Sequence, residues 1–146
     1  MENKSIKEFR TFNRFYTSII GLLDEHFLNS NYSLAEVRIM FELYYGKNIT
    51  ASDLIRTMSI DKGYLSRVIR QFEKKKFIKR ERSSEDTRVI FLSLTHEGKK
   101  EFQLLDKTQD DQVRSILKNL SEKDLTRLLT SMTEIKKILT QQLISI

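Results

Sequence analysis

Apolar side chains recur three and four residues apart near the start of the chain, at Phe9, Phe12, Tyr16, Ile19, Ile20, Leu23 and Phe27. That is the period of one helical face, and it predicts a first helix over residues 5 to 28. Phe15 widens the stripe, so more than one face of this helix needs a partner. Ser33 followed by Glu36 has the form of a capping box, opening a second helix with Leu34, Val37, Met40, Phe41 and Tyr44 on its apolar side. Gly46 is its natural stop.

Two short helices come next. Thr50 with Asp53 caps one that carries Leu54, Ile55 and Met58 and ends near Ser59. Asp61 caps the other, in which Leu65, Val68, Ile69 and Phe72 fall at i, i+3, i+4 and i+7. Such a pair is a helix-turn-helix, placed at about residues 51–76. The period then changes to two: Ile90, Leu92 and Leu94 alternate with Val89, Phe91 and Ser93, and with the preceding FIKRER this predicts a hairpin over about residues 78–94. Thr95 caps a long helix to about Asn119, with Phe102, Leu105, Val113, Ile116 and Leu117 on one side. Ser121 with Asp124 starts a last helix bearing Leu125, Leu128, Leu129, Met132, Ile135, Leu139 and Leu143. The expected fold is mainly α with a small β-hairpin: a helix-turn-helix followed by a hairpin, which is a winged helix.

Charge gives the wing a purpose. The whole chain of 146 residues carries +6. Residues 62–100 hold twelve Lys and Arg against five acids, so that span is +7 and the remainder is −1. A basic face on a helix-turn-helix is the footprint of a polyanion-binding surface. The second helix of the pair turns its apolar stripe inward and leaves Lys62, Gly63, Tyr64, Ser66, Arg67, Arg70 and Lys74 as candidates to face double-stranded DNA. Arginine there suits the major groove, where it pairs in bidentate fashion with guanine O6 and N7. Gly63 removes bulk where a phosphate approaches a helix start. Arg82, Ser83, Ser84 and Arg88 are the candidate DNA contacts of the wing, and Asp86, two positions from Arg88, is expected to orient an arginine or cap the turn.

Other chemistries find little support. There is no cysteine, which excludes disulfides and thiolate chemistry. No Gly-rich phosphate loop, Gly-x-Ser-x-Gly or His-Glu-x-x-His is present, so neither an enzyme nor a cofactor is expected. The two histidines, His26 and His96, lie far apart, and Asp24, Glu25 and His26 do not share a helical face; no metal site is expected. No apolar run reaches 18 residues and MENKSIKEFR lacks a secretory core, so the protein is expected to be cytoplasmic, without a membrane partner. The remaining rival is a winged-helix adaptor that binds proteins without specific DNA binding.

The segment LSRVIRQFEKKKFIKRERSSEDTRVIFLSLTHEG resembles the signature of the MarR (multiple antibiotic resistance regulator) family of bacterial transcription factors. The matching residues are Glu73, Ile78, Arg80, Asp86, Arg88, Leu94, Thr95 and Gly98. Phe72 stands where leucine is usual, and Lys76 where glycine commonly ends the recognition helix, so Lys76 must adopt the left-handed conformation or the turn must differ. The resemblance implies a homodimer, most often a repressor, on a pseudo-palindromic operator. It implies dimerisation helices at residues 1–30 and 96–146 around a winged helix at 31–98. The apolar first and last helices agree, since a lone small domain hides them poorly, and a two-fold dimer sets recognition helices roughly 34 Å apart.

The same resemblance implies a small ligand, often an aromatic acid, bound between the two lobes. Nine of the fourteen aromatics lie in residues 1–45, and Phe12, Tyr16, Phe41 and Tyr45 are the candidate lining for a small aromatic or amphipathic molecule. Their alternative role is core and interface packing.

Overall fold

The computed structural model describes residues 3–21 and 30–144. Six helices and two strands follow in the order α1 (Asn3–Ile19), α2 (Leu34–Tyr45), α3 (Ala51–Met58), α4 (Lys62–Lys74), β1 (Ile78–Arg82), β2 (Ile90–Leu94), α5 (His96–Leu117) and α6 (Glu122–Ile144). The first helix is shorter than the periodicity predicts. It ends at Ile19, and Gly21 follows with φ 71°, a backbone angle that costs glycine nothing and stops a helix. Leu23, Asp24, Glu25, His26 and Phe27 lie outside the described residues.

The other helix starts are where local chemistry puts them. Ser33 and Thr50 both form reciprocal capping boxes, with Glu36 and Asp53. Asp61 accepts the Tyr64 N–H at 2.9 Å, Thr95 that of Gly98 at 3.1 Å and Ser121 that of Asp124 at 3.1 Å. Each bond satisfies a backbone donor that the first turn leaves open.

Contacts divide the chain at Gln109. In the first unit the core is one cluster drawn from α2, α3, α4, the hairpin and the start of α5, with Phe72, Phe102, Ile39, Met40, Leu54 and Leu65 fully buried. The hairpin is antiparallel, with Ile78 opposite Leu94, Arg80 opposite Leu92 and Arg82 opposite Ile90. Leu92 also donates its N–H to Ile49 O at 2.7 Å, so β2 is bonded on both edges and the wing has a fixed root beside α3. Helix α1 buries no residue; Ile6, Phe9, Phe12 and Phe15 remain open to solvent in the single chain.

The second unit, Asp110–Ile146, holds the end of α5, a tight turn closed by Leu120 N–H on Leu117 O at 3.0 Å, and α6. Most of its apolar positions are exposed, among them Val113, Ile116, Leu128, Leu129, Met132, Ile135 and Leu139, while Leu117 and Leu125 are half-buried. The side chain of Leu143 lies outside the described residues.

Candidate nucleic-acid interface

Helix α4 is pinned by its apolar stripe. Leu65, Val68, Ile69 and Phe72 are all buried, and burying four such side chains is worth several kcal/mol at roughly 1.5–3 kcal/mol each. The opposite face is therefore turned outward: Lys62, Gly63, Arg67, Arg70 and Lys74 are exposed and Ser66 is half-buried. A Cβ on Gly63 would come within 3.1 Å of the Asp61 carboxylate that caps the helix, so glycine leaves the cap undisturbed. Arg70 reaches back along its own helix, Nε lying 3.4 Å from Ser66 O. Tyr64 differs from its neighbours: its ring packs on the core, and its hydroxyl lies 3.3 Å from Ser33 Oγ.

The end of α4 shows how lysine replaces glycine. Lys76 itself takes the left-handed conformation, φ 61°, donating to Glu73 O at 2.9 Å while Phe77 N–H reaches Phe72 O at 2.8 Å. The carbonyl of Lys76 then accepts the Thr95 hydroxyl, and Thr95 N–H donates to Phe77 O at 2.9 Å. Gly98 packs on that same carbonyl, where a Cβ would sit 2.2 Å from Phe77 O. The Leu-Thr-x-x-Gly pattern thus locks the end of α4 to the start of α5.

Three of the wing arginines are engaged, each differently. Arg80 forms a forked ion pair with Glu73 of α4, Nε to Oε1 at 2.5 Å, which fastens the hairpin to the recognition helix and raises the arginine's pKa through that hydrogen bond. Arg82 donates to Thr87 O at 2.8 Å and closes the tip. Arg88 lies against Asp86, with Nε and Nη2 3.1 and 3.0 Å from its two oxygens and the Arg88 N–H 3.0 Å from Oδ1. The Arg88 guanidinium, and after it the Arg88 N–H, hold the Asp86 carboxyl below the usual carboxylate range. Exposed as it is, this pair adds little stability. What it fixes is direction: the Arg88 side chain stays 90% exposed yet is gripped at two points.

The tip itself is a capped turn. Ser83 N–H bonds Val89 O at 2.9 Å, and Ser83 Oγ accepts the N–H groups of Glu85 and Asp86 at 3.2 and 3.4 Å. Ser84 is exposed. The wing candidates border two concavities rather than one. Arg88 and Arg80 share a hollow of about 380 Å³ with Thr50, Ala51 and Ser52 at the start of α3, while Arg82, Ser83 and Ser84 border another with Asn48 and Phe91. The α3 terminus was not singled out by the sequence reading, although the Thr50–Asp53 capping box marks it.

The four aromatics expected to line a ligand crevice fall into two separate pairs. Phe12 and Tyr16 stack at 5.8 Å on α1; Phe41 and Tyr45 tilt together at 4.8 Å on α2, against Phe102. Phe12 borders a groove of α1 residues alone, whereas Phe41 borders a hollow of about 200 Å³ with Leu34, Val37, Arg38, Phe102 and Gln109. Tyr32, buried beside Phe72 with Lys75 Nζ 4.7 Å over its ring, has its hydroxyl pushed up to about 12, first by burial and then by Glu101. No group of three or more His, Asp or Glu that might hold a metal occurs among the described residues, and none of their helices is long and apolar enough to cross a membrane.

Helix-turn-helix, bonded hairpin and outward cationic helix together define a winged-helix protein. The pattern of the MarR family matches residues 32–90. The HTH-type transcriptional regulator BilQ of Clostridium symbiosum is 32% identical over 104 residues, which span 68% of this chain and 72% of BilQ. The HTH-type regulator YdgJ of Bacillus subtilis is 27% identical over 92 residues, 63% of this chain; the match spans little more than half of YdgJ, 56%. The structure of Streptococcus pneumoniae FabT in complex with DNA superposes with a TM-score of 0.70 over 96% of this chain and 99% of FabT, at 22% identity, a likeness of fold. The chain belongs to the MarR family, whose members are non-enzymatic DNA-binding transcription regulators.

Proposed function

We propose that this chain is a cytoplasmic repressor that binds a pseudo-palindromic operator as a homodimer. The observation that carries the reading is the arrangement of α4: its apolar stripe is sealed in the core, so Lys62, Arg67, Arg70 and Lys74 face outward together. On this reading α4 enters the major groove, Arg67 and Arg70 read base edges, and Lys62, Ser66 and Lys74 meet backbone or neighbouring bases. Gly63 lets the helix start approach a phosphate. The wing delivers Arg88, aimed by Asp86, to the adjacent backbone or minor groove, with Arg82, Ser83 and Ser84 shaping or touching the tip contact.

Two-fold pairing supplies the second half of the operator contact. It is supported by the apolar faces of α1, the end of α5 and α6, which the single chain leaves in water. These helices are the dimerisation elements of the proposal, around a DNA-binding segment of residues 31–98. Release of the operator by a small aromatic acid fits the hollow between α2 and α5, where Arg38 lies beside Phe41.

Selection of bound fragments from random duplex DNA tests the reading, followed by a salt titration on the selected operator. Affinity should fall by roughly 0.9 log unit per log unit of salt for each phosphate neutralised. Affinity that ignores both sequence and salt would return the protein to the adaptor class.

A further inference from the structure

Tyr64 sits among the residues of α4 that face outward, yet its side chain is turned toward the protein. Its ring is half-buried against the core, and its hydroxyl lies 3.3 Å from Ser33 Oγ, 31 positions earlier in the chain. Ser33 is itself held by a capping box: its hydroxyl accepts the Glu36 N–H at 3.2 Å and its N–H donates to the Glu36 carboxylate at 3.1 Å. At the other end, Tyr64 N–H is held by Asp61 at 2.9 Å. The ring is thereby fixed at backbone and hydroxyl, one end on α4 and the other on the cap of α2.

One turn further along α4, the guanidinium carbon of Arg67 lies 5.9 Å from the centroid of that ring. A cation over the face of an aromatic ring is attracted by its quadrupole. The effect on Arg67 is restraint. An exposed arginine samples many rotamers, and ordering such a side chain on binding weakens affinity by about two- to tenfold unless it is ordered beforehand. Among the described residues no aromatic ring lies under Arg70, whose guanidinium makes a 3.4 Å approach to Ser66 O of its own helix.

We propose that Tyr64 is a positioning residue for Arg67 and not itself a DNA contact: anchored by Ser33, its ring confines the Arg67 guanidinium above the outer face of α4, so that sequence discrimination by Arg67 depends on Tyr64. The inference rests on the DNA-reading function proposed above. It makes the two arginines unequal, one pre-ordered by a residue of the core and one not.

The experiment compares affinities for the selected operator and a scrambled duplex of equal length. Tyr64→Leu should lower the ratio of the two affinities by about three- to tenfold while leaving binding to the scrambled duplex unchanged. In an Arg67→Ala background the same change should have no further effect; in an Arg70→Ala background its full effect should return. Tyr64→Phe keeps the ring and loses only the bond to Ser33, so its loss should be smaller, under about threefold. Equal weakening on both duplexes, or additivity of Tyr64→Leu with Arg67→Ala, would overturn the proposal. One measurement needs no variant: the side-chain protons of Arg67 in the free wild-type protein should be shifted upfield by the ring, and unshifted resonances would also overturn it. A wild type that prefers no duplex sequence brings down the DNA-reading function and this inference together, whereas clear preference with additive variants sinks this inference alone.

Discussion

The winged-helix segment and the helices that flank it were written with the same kind of pattern and came to opposite ends. In α4 the positions Leu65, Val68, Ile69 and Phe72 are buried to within a few per cent. In α6 the equivalent spacing at Leu128, Leu129, Met132, Ile135 and Leu139 leaves every one of them exposed, and α1 buries nothing either. An amphipathic stripe states only that a helix has a face to hide. Whether the chain hides it against itself depends on whether other elements close over it, as the hairpin, α2 and the start of α5 do for α3 and α4. The difference separates a part that owns its core from parts that await one. The proposed homodimer is the response that such parts call for.

The contrast predicts effects of different kind and size. Phe72→Ala removes a fully buried ring of the closed core and should cost about 3–5 kcal/mol in denaturant unfolding. A loss under about 1 kcal/mol there would mean the core is looser than its burial says. Leu129→Lys, in the open stripe of α6, should leave secondary structure intact but weaken self-association about a hundredfold, or about 2.7 kcal/mol, in sedimentation equilibrium. If that variant keeps the wild-type oligomeric state, the stripe is not the covered face.

On the DNA side, Arg67→Ala and Arg70→Ala should each reduce operator preference by about 1–3 kcal/mol, measured against a scrambled duplex. Arg88→Ala should weaken both duplexes with less change in preference, since its grip on Asp86 serves a backbone or minor-groove contact. The smallest effect is expected where the chain carries a local misfit. Lys76→Gly relieves a left-handed lysine and should raise stability by about 1 kcal/mol without altering DNA binding. A destabilised Lys76→Gly would show that the lysine side chain, not its backbone angle, matters at that turn.

Much of the architecture was legible from neighbours in the chain. The capping residues Ser33, Thr50, Asp61, Thr95 and Ser121 mark helix starts because a cap acts within three residues of itself. The change of period over residues 89–94 marks the second strand of the hairpin for the same local reason. The end of α1 was misjudged, since Ile20 and Leu23 continue the apolar period past Gly21, and the glycine's positive φ outweighs it. Ile49, which bonds β2 on its second edge, had no signature, because one bridging residue has no period.

The candidate interface was legible in composition and only partly in arrangement. That Arg67, Arg70, Arg82 and Arg88 stand on the helix and wing follows from position alone. What each guanidinium touches follows only in part: the pairing of Arg88 with Asp86 is foreshadowed by their spacing, whereas Arg82 turns to Thr87, and Arg80, absent from the expected contacts, spans from wing to helix to hold Glu73. Tyr64 stands among the DNA-facing candidates by its place on α4, and its link to Ser33, 3.3 Å from hydroxyl to hydroxyl, is one that position does not foretell.

By itself the sequence determined the kinds of elements, their ends and the surplus of cations along one of them, for hydrogen bonds and apolar periods of that sort are settled within about one helical turn. Only the tertiary structure decided which stripes are covered, how the wing is tied to α4 and that the Tyr64 hydroxyl meets the cap of α2 at Ser33. Those outcomes join residues far apart in the chain, and they depend on the angles at which whole elements pack, which no local pattern encodes.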